Sequence, residues 1–309
     1  MLGRIVEISS DKRHLRSFRG FMQVLDKDHD SNELARIPLD DIDAVIGNSH
    51  GLSYTNNLLV ALAERGVPLV LCGDNHNAIG MLVAVDGNHQ QSHRMDAQIS
   101  AAKPLMKQIW ARIVKSKLEA QSAVLNELGI NSAPLTALVR QVRSGDPENI
   151  EAQGARRYWT LLFGDTFRRD RNADGINAML NYGYTVLRAT TVRAVIAAGL
   201  HPSLGIHHRD GANPMRLADD LMEPFRPAID LCVYRITQVQ YESVSPEVKR
   251  ELVQQMYVDL ATDLGRTPLS VCVQRLATSL AQTYVSGTIG LSLPHSILPL
   301  VSEDSVKDL

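Results

Sequence analysis

The chain has 309 residues, of which 44% are hydrophobic and 21% charged, and its formal net charge is −2. At roughly 150 residues per domain this length predicts about two domains, and the composition excludes a largely disordered chain. There is no run of about 18 consecutive apolar residues, which excludes a membrane-spanning helix, and residues 1–5 lack the features of a secretion signal.

The three cysteines, Cys72, Cys232 and Cys272, are far apart and have no CxxC spacing. This pattern argues against a disulfide framework or a zinc site. Isolated cysteines suit a reducing compartment, so we predict a cytoplasmic protein.

The charge is unevenly distributed. Residues 101–215 contain 15 Lys and Arg against 9 Asp and Glu, whereas the rest of the chain contains 17 against 25. A basic middle segment can bind a polyanion with one face. A solvated helical surface explains the same charges, and composition does not separate the two.

The first 85 or so residues predict strands. Short segments rich in Val, Ile, Leu and Phe alternate with turn-forming clusters. The predicted strands cover 2–8, 15–18, 21–25, 34–39, 42–46, 67–72 and 79–85. One helix interrupts them, with Thr55 as its N-cap and Gly66 at its end.

From about residue 97 the apolar pattern is helical. Further helices are predicted to open at Asp146-Pro147 and to cover 177–198, 213–222, 245–260 and 269–284. The polar stretch 86–94 is the predicted boundary. We therefore predict an α+β chain with a small β-rich N-terminal domain, residues 1–95, and a larger all-α C-terminal domain, residues 96–309.

Glu151 is the first candidate for chemistry in the helical half. Glu151, Ala155 and Tyr158 have the spacing i, i+4, i+7, so they share one helix face. A carboxylate on a face of small and aromatic residues would lie against a packed surface. A surface glutamate paired with an arginine is the alternative.

The second candidate is the pair His207 and His208, in a loop after the helix that ends near Leu200. Loops carry binding residues more often than helix interiors do. The chain has 10 histidines, so the pair is a weak signal. The spacing does not decide which of the two would act.

The third candidate is an acidic helix. Asp220 and Glu223 are three residues apart on one face, and Pro224 predicts a kink or an end at Glu223. Two acids on one side of an apolar helix are costly to bury without a cation. They indicate either a metal site or a helix-end cluster paired with Arg216 and Arg226.

Together, Glu151, His208 and Glu223 supply two carboxylates and one imidazole, which suits Mg²⁺ or Mn²⁺. Such a cation can polarise a phosphodiester and lower the pKa of an attacking hydroxyl. Basic side chains could hold the substrate's backbone phosphates, namely Arg156, Arg157, Arg168, Arg169 and Arg171.

A polar stripe crosses an otherwise apolar predicted helix. Its members fall on one face, namely Asn177, Asn181, Tyr184 and Arg188. The stripe could form the floor of the active cleft, where Arg188 would contact phosphate. A buried structural hydrogen-bond ladder is an equally good interpretation.

At these residues the chain resembles the CRISPR-associated adaptation integrases, the Cas one endonucleases. Three runs carry the resemblance, namely NIEAQGARRYW, NAMLNYGYTVLRATTVRAVIAAGLHPSLGIHH and LADDLMEPFRPAID. Their key residues are separated by 57 positions from Glu151 to His208 and by 15 from His208 to Glu223. The run IDAVIGNSHGLSYTNNLLVALAERGVPLVLC resembles the family's N-terminal domain. The resemblance covers essentially the whole chain and is strongest to the type II subtype.

The resemblance implies that Glu151, His208 and Glu223 are ligands of Mg²⁺ or Mn²⁺ and that Asp220 is an auxiliary acid. It implies a metal-dependent DNA endonuclease and integrase. Such an enzyme inserts short DNA fragments into the CRISPR array by transesterification of a 3′-hydroxyl onto a phosphodiester.

The same resemblance implies a set of partners. These are double-stranded or branched DNA, a second copy of the chain and the small partner Cas two. Further adaptation proteins and the RNA-guided effector nuclease are candidates as well, and a membrane is not. The N-terminal domain would serve dimerisation and partner binding, and the helical domain would be catalytic.

Two other functions fit parts of the pattern. A non-catalytic DNA-binding scaffold of the same fold would keep the arginines but lose the metal chemistry. An all-α metal hydrolase of small phosphorylated substrates could use the same histidine and acids. Affinity for branched DNA separates the hydrolase from the other two.

Overall fold

The computed structural model describes residues 3–28, 32–73, 78–208, 210–239 and 243–300. The chain divides into two compact units between Gln91 and Ser92. Within the described residues, no helix is both long and apolar enough to cross a membrane. The first residue of the predicted strand 2–8 lies outside the described part of the chain.

The first unit contains two four-stranded sheets and one helix, α1 (Asn56–Glu64). Its strands are β1 (Arg4–Ile8), β2 (Arg13–Phe18), β3 (Phe21–Asp26), β4 (Glu33–Pro38), β5 (Ile42–Gly47), β6 (Ser53–Tyr54), β7 (Leu69–Cys72) and β8 (Ala78–Leu82). One sheet has the order β1-β5-β7-β8, with its first three strands parallel and β8 antiparallel. The other has the order β4-β3-β2-β6, in which β6 runs parallel to β2.

Apolar side chains from strands of both sheets and from α1 form the core of this unit. Leu15, Val45 and Leu58 are fully buried members of the cluster. As predicted, the Thr55 side chain caps α1 by accepting a hydrogen bond from the Leu58 amide at 3.3 Å. The predicted strand 79–85 is observed as Ala78–Leu82, because the chain leaves the sheet well before the 90% exposed Val85.

The second unit is mostly helical. Its helices are α2 (Gln91–Ile99), α3 (Lys103–Glu127), α4 (Ala133–Val139), α5 (Ile150–Phe163), α6 (Ile176–Ala197), α7 (Arg216–Met222), α8 (Arg226–Gln238), α9 (Pro246–Gln254) and α10 (Leu269–Ser286). The long α6 packs against α7, α8, α9 and α10. The other long helix, α3, packs against α4, α5, α8 and the 3-10 turn Glu223–Phe225.

The prediction of an all-α C-terminal domain is wrong in one place. Two short strands, β9 (Asp259–Thr262) and β10 (Gly265–Pro268), pair in an antiparallel ladder. The helix predicted over 245–260 therefore ends at Gln254 and is followed by a 3-10 turn. Gly265 adopts a φ of +84°, which favours glycine at the start of β10.

Pro224 breaks the acidic helix, as predicted. Helix α7 ends at Met222, a 3-10 turn spans Glu223–Phe225, and α8 begins at Arg226. Proline removes one backbone donor and prevents a regular helical bond there. Glu223 therefore lies at the junction of α7 and α8, where its side chain faces α3.

Candidate active site

A buried lysine joins two carboxylates from different helices. Lys117 on α3 is 7% exposed, and its Nζ forms ion pairs with Glu151 on α5 and, at 2.5 Å, with Glu223. Burial alone would lower the pKa of Lys117, but the charges of Glu223 and Glu151 outweigh it and raise that pKa, so the side chain stays an ammonium ion. Two side chains predicted as metal ligands thus meet at one cation.

Glu223 has a second cationic partner. Arg226, one turn further on, places its Nε 2.8 Å from Glu223 Oε1. Burial by itself would raise the pKa of Glu223, but the charges of Arg226 and Lys117 lower it to about 2. The helix-end ion pair weighed for the acidic helix is therefore present, and Glu223 is ionised.

Glu151 is held by the start of α5 and by a close contact between helices. The Asp146 carboxylate accepts the backbone amides of Ile150 and Glu151, at 2.8 and 3.0 Å, from four and five residues upstream. The predicted helix start at Asp146-Pro147 is thus displaced to Ile150, with Asn149 in the N-cap position. A β-carbon at Gly154 would overlap Leu118 Cδ2 on α3, so this glycine lets α5 and α3 approach closely.

Asp220 organises the histidine loop. Its side chain is fully buried and accepts the backbone amides of Ile206 and His207, at 2.6 and 3.0 Å. His208 Nδ1 donates to the same carboxylate at 2.5 Å. A β-carbon at Gly205 would lie 2.8 Å from the His208 carbonyl oxygen, so the loop needs glycine there. Asp220, predicted as an auxiliary acid, here positions His208.

The two histidines have different environments. His207 stacks on Trp110 of α3, with ring centroids 4.4 Å apart and planes 2° from parallel. Burial lowers the pKa of His207. The hydrogen bond to Asp220 is the largest cause of a raised pKa at His208, to which the charges of Glu223 and Glu151 also contribute. Because Asp220 engages Nδ1, Nε2 is the His208 nitrogen left for a ligand or a proton.

The three predicted ligands do not form one ligand set in this arrangement. Among the described residues, no three His, Cys, Asp or Glu side chains are placed to hold a metal ion together. Lys117 lies between Glu151 and Glu223, and the Nδ1 of His208 faces Asp220. The roles of Glu151, His208 and Glu223 as ligands stay predictions.

A polar network lies beside Glu223 in the core. The Arg226 guanidinium stands 4.5 Å from the centre of the Tyr184 ring, and the Tyr184 hydroxyl donates to Asp230 on α8. Burial raises the pKa of Asp230 to about 7, although Tyr184 and Arg226 oppose this change. Asp230 carried no signal in the sequence, because its spacing resembles that of any helical surface acid.

Two of the six arginines predicted to contact DNA are engaged within the protein. Arg188 pairs with Asp219 through contacts of 2.8 and 2.9 Å. Arg169 donates to the side-chain oxygens of Asn177 and Asn181, at 2.9 and 2.6 Å. The stripe along α6 thus makes structural contacts here, in line with the ladder interpretation.

The other four arginines have exposed side chains, namely Arg156, Arg157, Arg168 and Arg171. Arg156 and Arg157 follow Glu151 by five and six positions on α5, so they project from other sides of that helix. Arg168 donates to two backbone carbonyls of its own loop. Contact between these side chains and DNA stays a prediction.

A basic groove that the sequence did not single out lies on the far side of α3 from Lys117. It has a volume of about 430 Å³ and is lined by Gln108, Ala111, Arg112, Lys115, Val142, Ser144 and Ile289. Within the described part of the chain, Arg112 and Lys115 form no ion pair. The groove is a second candidate surface for phosphate contact.

Comparison with known proteins identifies the family. Residues 6–244 match the family described as CRISPR associated protein Cas1. A relative from Neisseria meningitidis serogroup C, named CRISPR-associated endonuclease Cas1, is 35% identical over 276 residues. The alignment covers 87% of this chain and 90% of that protein. The chain belongs to the Cas1 family. The resemblance found in the sequence is therefore confirmed, and the type II subtype is compatible with the Neisseria relative.

Solved structures show the same Cas1 fold. A casposase bound to its integration product superposes with a TM-score of 0.81 at 19% identity, over 98% of both chains. A Cas6-RT-Cas1–Cas2 complex matches with a TM-score of 0.75 at 18% identity, over 97% of this chain and 36% of that chain. The predicted mixed architecture, with N-terminal strands and a helical C-terminal half, agrees with these Cas1-like structures.

Proposed function

We propose that this chain is a divalent-cation-dependent DNA endonuclease and integrase of CRISPR adaptation. In this role the 3′-hydroxyl of a short DNA fragment attacks a phosphodiester of the CRISPR array in a transesterification. A new P–O bond to the fragment forms as the P–O3′ bond of the array strand breaks, and that strand leaves with a free 3′-hydroxyl. The observation that carries the proposal is that the carboxylates of Glu151 and Glu223, from separate helices, both pair with the ammonium group of Lys117. Membership of the Cas1 family and the named endonuclease relative support it.

The donor set fits Mg²⁺ or Mn²⁺. Two carboxylates that already share one cationic partner can share another, and His208 keeps Nε2 for a ligand while Asp220 holds Nδ1. Glu151, His208 and Glu223 would hold the ion. When bound, the ion would polarise the phosphodiester and lower the pKa of the attacking hydroxyl or water.

The chain's own residues prepare this chemistry. Asp220 fixes the orientation of the His208 ring, and His207 of the same loop stacks on Trp110. Arg226 keeps Glu223 ionised and in place. Preorganised groups of this kind need no rearrangement at the moment of reaction.

DNA and protein partners follow from the relatives and from surface charge. We propose that the exposed arginines of the α5 region or the basic groove on α3 bind backbone phosphates. The solved complex that contains Cas1 and Cas2 supports the small partner Cas2 for this chain, and a homodimer is proposed from the family resemblance. From the family resemblance we also propose further adaptation proteins and the effector nuclease as partners. We propose a cytoplasmic location as well.

The two rival functions are weaker. Family membership and the named relatives disfavour an enzyme acting on small phosphorylated substrates. A non-catalytic scaffold has no need for two carboxylates that share one buried cation, since burying charged groups is costly. The scaffold differs from the enzyme in one measurable respect, namely turnover of DNA.

The test uses branched DNA with a labelled 3′ end. Purified wild-type chain should cleave it and transfer strands in Mn²⁺ or Mg²⁺, and excess chelator should stop both reactions. Glu223→Gln keeps the side-chain volume but removes the charge, so it should reduce both reactions at least about 100-fold. Glu119→Gln, an exposed glutamate on α3, is the matched control and should be unchanged.

The variants must be folded for this comparison, which circular dichroism and thermal unfolding establish. Binding of Glu223→Gln to DNA should persist, because the arginines remain. Near-normal turnover by Glu223→Gln, or full activity in excess chelator, would refute the proposed enzyme. DNA binding without any turnover in the wild type would favour the scaffold.

A further inference from the structure

The cation between the two carboxylates belongs to the protein. Lys117 reaches them from α3, and its side chain is 9% exposed, compared with 23% for Glu151 and 9% for Glu223. With Arg226 beside Glu223, the cluster holds two positive and two negative side chains. The cluster is thus electrically balanced without any added ion.

This balance solves a folding problem. Without a cation between them, the buried carboxylate of Glu223 and the partly buried carboxylate of Glu151 would repel each other, and burial would deprive them of hydration. The Lys117 ammonium offsets that cost because it pairs with both Glu151 and Glu223. The same oxygens are those that a divalent cation would need.

The lysine ammonium and a divalent ion cannot occupy the same position between these two carboxylates. Mg²⁺ requires oxygen ligands at about 2.0–2.1 Å in near-octahedral geometry, so an ion bound by both carboxylates would take the place of the ammonium group. The double positive charge of the ion and the single positive charge of the Lys117 ammonium group would also repel each other strongly. Lysine carries its charge on a flexible four-carbon stem, so the ammonium group can move while α3 stays in place.

We infer that Lys117 is a resident cation that holds Glu151 and Glu223 together until a divalent ion binds, and that ion binding displaces it. This inference rests on the proposed function of the site. Its consequence is that the chain binds divalent ions more weakly than its carboxylates alone would. In exchange, the chain stays folded without the ion.

The test compares Lys117→Met with the wild type in Mn²⁺ binding, measured by electron paramagnetic resonance of free Mn²⁺. Methionine fills a similar volume without charge. Lys117→Met should bind Mn²⁺ at least about tenfold more tightly, and its melting temperature should fall without the ion and recover with it. Lys115→Met, on the far side of α3, is the matched control and should leave Mn²⁺ affinity unchanged.

A second measurement uses the wild type alone, in case the variant does not fold without the ion. Lysine acylation followed by mass spectrometry reports how accessible Lys117 is. Acylation of Lys117 should rise several-fold when Mn²⁺ is added, whereas that of Lys115 should not change.

The outcomes separate this inference from the proposed function. If wild type and Lys117→Met bind Mn²⁺ equally and Lys117 acylation does not change, the displacement is refuted while the metal-dependent enzyme stands. If neither protein binds Mn²⁺, both fail. If only Lys117→Met binds Mn²⁺, displacement by the ion is refuted, because Lys117 then blocks the site in the wild type.

Discussion

Asp220→Asn is a sensitive probe of the site, because it changes one atom and preserves the shape of the side chain. In the wild type, Asp220 accepts two backbone amides through Oδ2 and the Nδ1–H of His208 through Oδ1. An asparagine keeps the two amides satisfied only if its oxygen takes the Oδ2 place. Its NH₂ group then faces His208 Nδ1 and can only donate.

The imidazole must respond by changing its tautomer. Nδ1 becomes the acceptor and the proton moves to Nε2, so His208 can no longer offer the Nε2 lone pair to a metal ion. Loss of such a partner typically weakens metal affinity or activity about 10–100-fold. The amide bonds also change from charged to neutral, from about 1.5–3 to about 0.5–1.5 kcal/mol each, which lowers the free energy of unfolding by about 2 kcal/mol in total.

Three measurements check this reasoning. Urea unfolding gives the stability loss, ¹⁵N NMR of the histidine ring gives the tautomer, and Mn²⁺ titration with DNA cleavage gives the functional loss. Asp210→Asn, an exposed aspartate of the same loop, is the matched control. If Asp220→Asn shows the Nε2–H tautomer yet binds Mn²⁺ and cleaves DNA like the wild type, His208 is not a ligand through Nε2.

Three further predictions follow from other contacts. Trp110→Leu removes the ring on which His207 stacks, so it should lower the free energy of unfolding by about 2–4 kcal/mol. It should also reduce DNA cleavage more than the control variant Trp159→Leu does. Equal cleavage by the two variants would contradict this. The folded-state pKa of Asp230, about 7, is raised above its unfolded value, so the wild type loses stability as the pH rises from about 4 to 7. Asp230→Asn should therefore gain stability relative to the wild type over the same range, and a difference that stays constant from about pH 4 to 7 would contradict this. DNA affinity should fall steeply as the salt concentration rises. The double variant with the shallower dependence of affinity on salt, Arg156→Ala/Arg157→Ala or Arg112→Ala/Lys115→Ala, would show which basic surface binds phosphate.

Much of the fold is predictable because its signals are local. Alternating apolar residues mark the strands of the first unit, and Thr55 and Gly66 mark the ends of α1. Proline at position 224 predicts the helix break at Glu223, whose side chain faces α3. The β9–β10 ladder was missed because each strand has only four residues, too few to outweigh the helical pattern on either side.

The sequence predicts the acids and the histidine of the site but not their contacts, because those contacts join residues far apart in the chain. Lys117 lies 34 positions before Glu151, and no spacing rule relates the two. One signal was available, since Ile113 and Lys117 share a face of α3 and a lysine on a buried face needs an acidic partner. The identity of that partner depends on how α3, α5 and the α7–α8 junction pack.

Gly154 has a consequence for any attempt to redesign this protein. The separation between α3 and α5 is set by a missing methyl group, and Lys117 and Glu151 lie within one turn of that crossing. Gly154→Ala would place a methyl group between the two helices and push them apart. It would retune the reach of an ammonium group to its carboxylate without touching either side chain.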